Sequence, residues 1–85
     1  MRILVQDWEE RERGWGTRPD GYSLHLDNED RKRFVKAYWD SMPSHVPDEY
    51  STPYGEPYWK DITDSALLAE LEKSENGIRK YRWNH

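Results

Sequence analysis

The chain contains no cysteine, so neither a disulfide framework nor a thiolate metal site is available to it. That absence suits a reducing compartment, and a cytoplasmic location is the expectation. Long hydrophobic runs are missing as well. Ile3-Leu4-Val5 is too short for a signal peptide, and nothing approaches the roughly 20 apolar residues of a membrane span. The expectation is a soluble protein with no membrane association. There is no G-x-S-x-G elbow, phosphate loop or dinucleotide fingerprint, so the reading is non-enzymatic and without a cofactor. Positive charge is not in excess either. A net charge of −4 argues against a dedicated binder of duplex nucleic acid, which needs a basic stripe to displace counterions.

Aliphatic residues are scarce: only twelve of 85 are Ile, Leu or Val. In their place stand five Trp, six Tyr and one Phe. A buried aromatic side chain removes about 150–250 Å² from water, so a few can replace many aliphatic groups. A folded single domain over residues 1–85 with a thin aromatic core is expected, despite a charged fraction of 35%. Chains this short sit near zero net stability on an area ledger, and a homodimer or partner is expected to contribute.

Along the chain, residues 2–8 carry a strand signal. Arg18-Pro19-Asp20-Gly21-Tyr22 reads as a turn, with Pro19 presetting φ and Gly21 accepting a left-handed conformation. A hairpin pairing about 14–18 with 22–26 follows, and Tyr22, Leu24 and Leu26 share one face. Asp27 is placed as an N-cap for a helix from Asn28 to Ser41, with Glu29 and Asp30 in its first turn. Phe34, Val35, Tyr38, Trp39 and Met42 form its apolar stripe, with Tyr38 and Trp39 assigned to the core. Residues 43–58 hold four prolines and a glycine, which exclude a helix and any central strand, and predict a long loop. A short strand at 58–62, a helix capped by Thr63 or Asp64 and ended by Asn76-Gly77, and a last strand at 78–83 complete the chain. The order β-β(-β)-α-loop-β-α-β defines an α+β fold: a small, mainly antiparallel sheet with two helices packed on one face.

His25, His45 and His85 share no ligand spacing, so no metal site is expected and each is read as a surface histidine. Ser23 and His25 resemble half of a catalytic pair, but residues two apart on a strand are expected to be solvent-facing polar groups. Carboxylate pairs such as Glu9/Glu10 arise by chance among 17 acids. Two basic clusters, Arg31, Lys32, Arg33 and Lys36 on the first helix and Arg79, Lys80 and Arg82 beside Tyr81 and Trp83, support an alternative reading as a single-stranded nucleic-acid binder. A small metal-independent enzyme is the other alternative. The leading reading is a protein-interaction module: Trp8, Trp15, Tyr54 and Trp59 as anchors, with Glu9, Glu10 and Glu12 steering towards a basic surface.

The segments GWGTRPDGYSLHL and EDRKRFVKAYWDSMPSHVPDEYS resemble short uncharacterised accessory proteins of bacteria and their phages. The resemblance spans about residues 1–58 and implies a bacterial or phage setting and a small stand-alone protein. It carries no activity. It suggests an inhibitor or modulator of a bacterial enzyme or defence complex.

Overall fold

A computed structural model describes residues 1–12, 16–42 and 49–80. Its elements are β1 (Arg2–Glu12), β2 (Gly16–His25), α1 (Asn28–Asp40), β3 (Glu49–Pro53), β4 (Tyr58–Asp61), α2 (Ser65–Lys73) and β5 (Ile78–Lys80). Strand β1 organises them. Along one edge it pairs with β2, which in turn pairs with β5. Along the other edge β4 covers its first half and β3 its second. All these pairings are antiparallel, and the fold is α+β, as expected.

The two edge strands follow one another along β1 with a break between them. Gln6 fills the break. Its Nε2 lies within hydrogen-bond distance of the carbonyls of Tyr54 and Gly55, beyond the end of the β3 ladder, and of the Asp7 carbonyl, which also accepts from the Tyr54 N–H. Strand β3 falls inside the segment expected to be a loop. Its prolines are compatible with it because β3 is an edge strand, and Pro53, which lacks an N–H, closes it.

Both faces of β1 are covered. Ile3 and Val5 join Leu24 and Leu71 in one buried cluster, with Leu67, Leu68 and Ile62 packed around it. Side chains alternate along a strand, so Leu4, Gln6 and Trp8 belong to the opposite face. There α1 covers them: Phe34 meets Trp8 edge-on at 6.4 Å and His25 at 5.1 Å, and Tyr38 meets Trp8 at 4.9 Å. The helices therefore take opposite faces of the β1–β2 ribbon, which corrects the expectation of a shared face. The reason is visible in Ile3-Leu4-Val5. An unbroken apolar run, rather than an alternating one, is what a strand buried on both faces requires.

The N-caps form as the sequence suggests. Asp27 accepts from the Asp30 N–H, and Asp64 accepts from the Ala66 and Leu67 N–H groups. The turn at Arg18–Tyr22 does not form. Asp7 pairs with Tyr22 and Glu9 with Pro19, so Trp8 alone faces both Asp20 and Gly21. This is a β-bulge within a continuous strand, and Gly21 takes the left-handed conformation, φ 76°, that such a bulge demands. The glycine signal holds, but residues 18–22 continue β2 instead of reversing the chain.

Two stability measurements follow. Leu71→Ala is expected to cost about 2–5 kcal/mol, read as a lower urea midpoint at constant slope. Gly21→Ala is expected to cost about 1–2 kcal/mol, because a Cβ disfavours the left-handed conformation. A neutral Gly21→Ala would show that the bulge relaxes.

Candidate functional site

The interior face under α1 holds a directed hydrogen-bond chain. Trp8 Nε1–H donates to Ser23 Oγ at 2.8 Å, Ser23 Oγ lies 2.7 Å from His25 Nε2, and His25 Nδ1 lies 2.8 Å from the Asn76 carbonyl. A carbonyl only accepts, so Nδ1 carries the imidazole proton. Nε2 then accepts from the Ser23 hydroxyl, whose oxygen accepts from Trp8. Every donor in the chain has an acceptor.

Ser23 and His25 are both 0% exposed, which corrects their reading as surface groups. They meet at the distance of a nucleophile and its base. However, the Ser23 oxygen is already taken by the indole, and both side chains are fully buried, outside the lining of the two open clefts at Asp7. A substrate carbonyl cannot reach the pair as it stands. The bend Asn76-Gly77 seals it from the side. Gly77 has φ 138°, and a Cβ there would lie 2.3 Å from His25 Nδ1 and 2.5 Å from the Leu24 carbonyl. The Asn-Gly pair, expected to end α2, lies beyond it: the helix stops at Lys73 with Ser74 as its C-cap. The left-handed pair instead lets backbone lie directly on the imidazole.

Trp8 is 1% exposed and is a core residue, not a partner anchor. Its ring is enclosed by Phe34 and Tyr38 and by the Arg79 guanidinium, 4.6 Å from the ring centroid. Arg79 pairs with Asp20 at 3.2 Å, each side chain only 13% exposed. Asp20 also accepts from Ser51 Oγ, and the Tyr38 hydroxyl both donates to the Ser51 carbonyl and accepts from its N–H. The bulge is what brings Asp20 to this cation. The same groups thus hold β2, β3, β5 and α1 around one indole.

The other basic residues of the nucleic-acid reading are engaged within the chain. Arg31 donates to Asn28 and Gln6, Arg33 to Asp30 and Asn76, and Lys36 to Asp40. Lys32 pairs with Glu29, and Lys80 with Glu70. Among the proposed steering acids, Glu9 is nearly buried and bound to Arg11, while Glu10 is bound to Arg18. The side chain of Glu12, together with Trp15 and Arg82, lies outside the described residues.

Among the described residues, the most exposed aromatic groups fall in one segment. Tyr54 is 61% exposed, and Tyr58 and Trp59 are each 46% exposed. Trp39 stands half out of α1 beside Tyr38 and Tyr50 rather than in the core. Two open clefts adjoin at Asp7. One, about 280 Å³, is lined by Asp7, Glu9, Arg18, Pro19 and Tyr54. The other, about 400 Å³, is lined by Asp7, Tyr22, Tyr58, Lys60 and the apolar Val5 and Leu67. The Tyr58 hydroxyl donates to Asp7 Oδ1 at 3.2 Å. Sequence reasoning named Tyr54 but missed Asp7, whose importance arises only from the register that sets it between two tyrosines.

This arrangement defines a small α+β domain with a sealed polar interior and an aromatic, acid-centred surface. No protein-family model matches the chain, and no curated protein or solved structure is measurably similar to it. No described helix is long and apolar enough to cross a membrane.

The buried imidazole makes stability depend on pH. Burial, reinforced by the nearby Arg31 charge, holds His25 below its ordinary value; the Asn76 bond and Asp30 oppose this. The unfolded chain therefore takes up the proton first, near pH 6.5. The stabilisation is complete above that pH and is lost as pH falls from about 6.5 towards the folded-state value. Urea unfolding between pH 7.5 and 5.5, above the carboxylate range, is expected to show this decline. His25→Gln is expected to be less stable at pH 7.5 but flatter with pH.

Proposed function

We propose that this protein is a non-enzymatic interaction module that docks a basic surface of a protein partner through Tyr54, Tyr58 and Asp7. The carrying observation is the pair of open clefts that share Asp7, each bordered by an exposed tyrosine. Tyrosine adds large contact area at small entropic cost, and a central carboxylate gives a Lys or Arg of the partner a directional acceptor. Asp7 is held ready by Tyr58, so little ordering is needed on binding. The net charge of −4 favours encounter with a basic surface.

The sequence resemblance to bacterial and phage accessory proteins directs the search for that partner to bacterial enzymes and defence complexes, with inhibition or modulation as the effect. Of the anchors expected from sequence, Tyr54 and Trp59 are exposed, Trp8 is buried and Trp15 lies outside the described residues. Tyr58 joins Tyr54 here, and Asp7 takes the role given to Glu9 and Glu10.

The test is affinity capture from bacterial lysate, followed by titration of the captured protein. Tyr54→Ala with Tyr58→Ala is expected to weaken binding by at least about 30-fold, two lost anchors of roughly 1 kcal/mol or more each. Asp7→Asn is expected to lower the association rate and its salt sensitivity. A partner that binds the double variant as tightly as the native protein would refute this surface.

A further inference from the structure

The two strands on the free side of β1 present different outer edges. In β3 the outward edge is blunted at Ser51 and Pro53. The Tyr38 hydroxyl takes both the N–H and the carbonyl of Ser51, and Pro53 has no N–H to offer. In β4 the polarity of the ladder follows from the N-terminal pair, where Met1 and Ile62 exchange two hydrogen bonds. Counting back in the same register, Lys60 and Tyr58 point their backbone groups at Ile3 and Val5. Trp59 and Asp61 therefore point theirs outward, and β1 uses the N–H of neither. All four residues of β4 are exposed.

We propose that β4 is the self-association edge of this protein, pairing antiparallel with β4 of a second copy about a two-fold axis through Trp59. The choice of occupant rests on how β4 complements itself. A two-fold axis perpendicular to a sheet sets residues of the same face opposite one another. Centred on Trp59, it places Trp59 against the second copy's Trp59, exchanging two backbone hydrogen bonds. On the other face it sets Tyr58 directly opposite the second copy's Lys60, twice, so that each ammonium reaches an aromatic ring.

Neighbouring registers are worse. Centring on Lys60 sets two ammonium groups against each other. Centring on Tyr58 sets Trp59 against Pro57, which can return no N–H bond, so no fully exchanged pair remains at Trp59; in the Trp59-centred register that half pair falls only at the ends, between Asp61 and Pro57. A lysine on an edge strand ordinarily discourages pairing. Here it selects one register. Four residues per copy make a small interface, so the dimer is weak and concentration-dependent. Its backbone bonds are separate from the partner surface, although Tyr58 takes part in both, so Trp59 rather than Tyr58 is the position that tests it.

Sedimentation velocity on the full chain, from micromolar to about 1 mM, is expected to show the average mass rising reversibly towards the dimer. Trp59→Pro removes an N–H that β1 does not use and is expected to weaken association at least about tenfold, with circular dichroism retained. Because the chain has no cysteine, single substitutions report the register. Trp59→Cys is expected to form a disulfide dimer on mild oxidation, since paired Cα atoms lie about 5.5 Å apart. Lys60→Cys is expected to cross-link far more slowly. A native chain that stays monomeric at about 1 mM, a folded Trp59→Pro variant that dimerises as well as the native chain, or faster cross-linking through position 60 would each overturn the proposal.

Discussion

The Trp8 indole has to leave water while its N–H keeps a hydrogen bond, and most of the architecture answers to that requirement. A buried indole donor without an acceptor costs on the order of 1–3 kcal/mol. Ser23 supplies the acceptor, and its own hydroxyl is then passed on to His25 and, through the imidazole, to the Asn76 backbone. The ring needs walls as well as a partner. Phe34 and Tyr38 bring α1 against it, and Arg79 stacks on it with its charge balanced by Asp20. The Gly21 bulge places Asp20 within reach of that cation.

A strand buried on both faces explains how so few aliphatic residues suffice. Ile3, Val5, Leu24 and Leu71 serve one layer, and an aromatic and polar network serves the other. The second layer combines the buried area of its aromatic rings with directional bonds, which makes it specific but sensitive to protonation at His25. With Trp8 taken inward, the most exposed aromatic groups among the described residues are those of the β3–β4 side. That side is also where β1 is covered by two short strands instead of one long one. Surface chemistry and sheet irregularity thus coincide in residues 54–61.

Much of the fold is legible in the sequence because its signals are local. Asp27 and Asp64 cap helices through their own side chains, and positive φ at Gly21 and Gly77 requires glycine. The missing N–H of Pro53 likewise confines its segment to a sheet edge. Misreadings arise where a local signal fits two contexts. A left-handed glycine after Pro-Asp serves a hairpin turn or a bulge equally well, and only the length of the partner strand distinguishes them. The exposed site is less legible still. Asp7 carries no mark in the sequence, since acids are abundant, and it matters because pairing sets Tyr54 and Tyr58 on either side of it.

Both helices with their N-caps, the aromatic character of the core and the exclusion of cysteine chemistry are settled by the chain alone, since they depend on composition and on residues a few positions apart. Four further outcomes belong to the assembled sheet: which tryptophan is buried, which face each helix covers, the sealing of Ser23 with His25, and which strand edge stays open. All four depend on register. A shift of a single residue along a strand exchanges its two faces, and the bulge that sets the register at Trp8 forms only when β1 and β2 are already side by side.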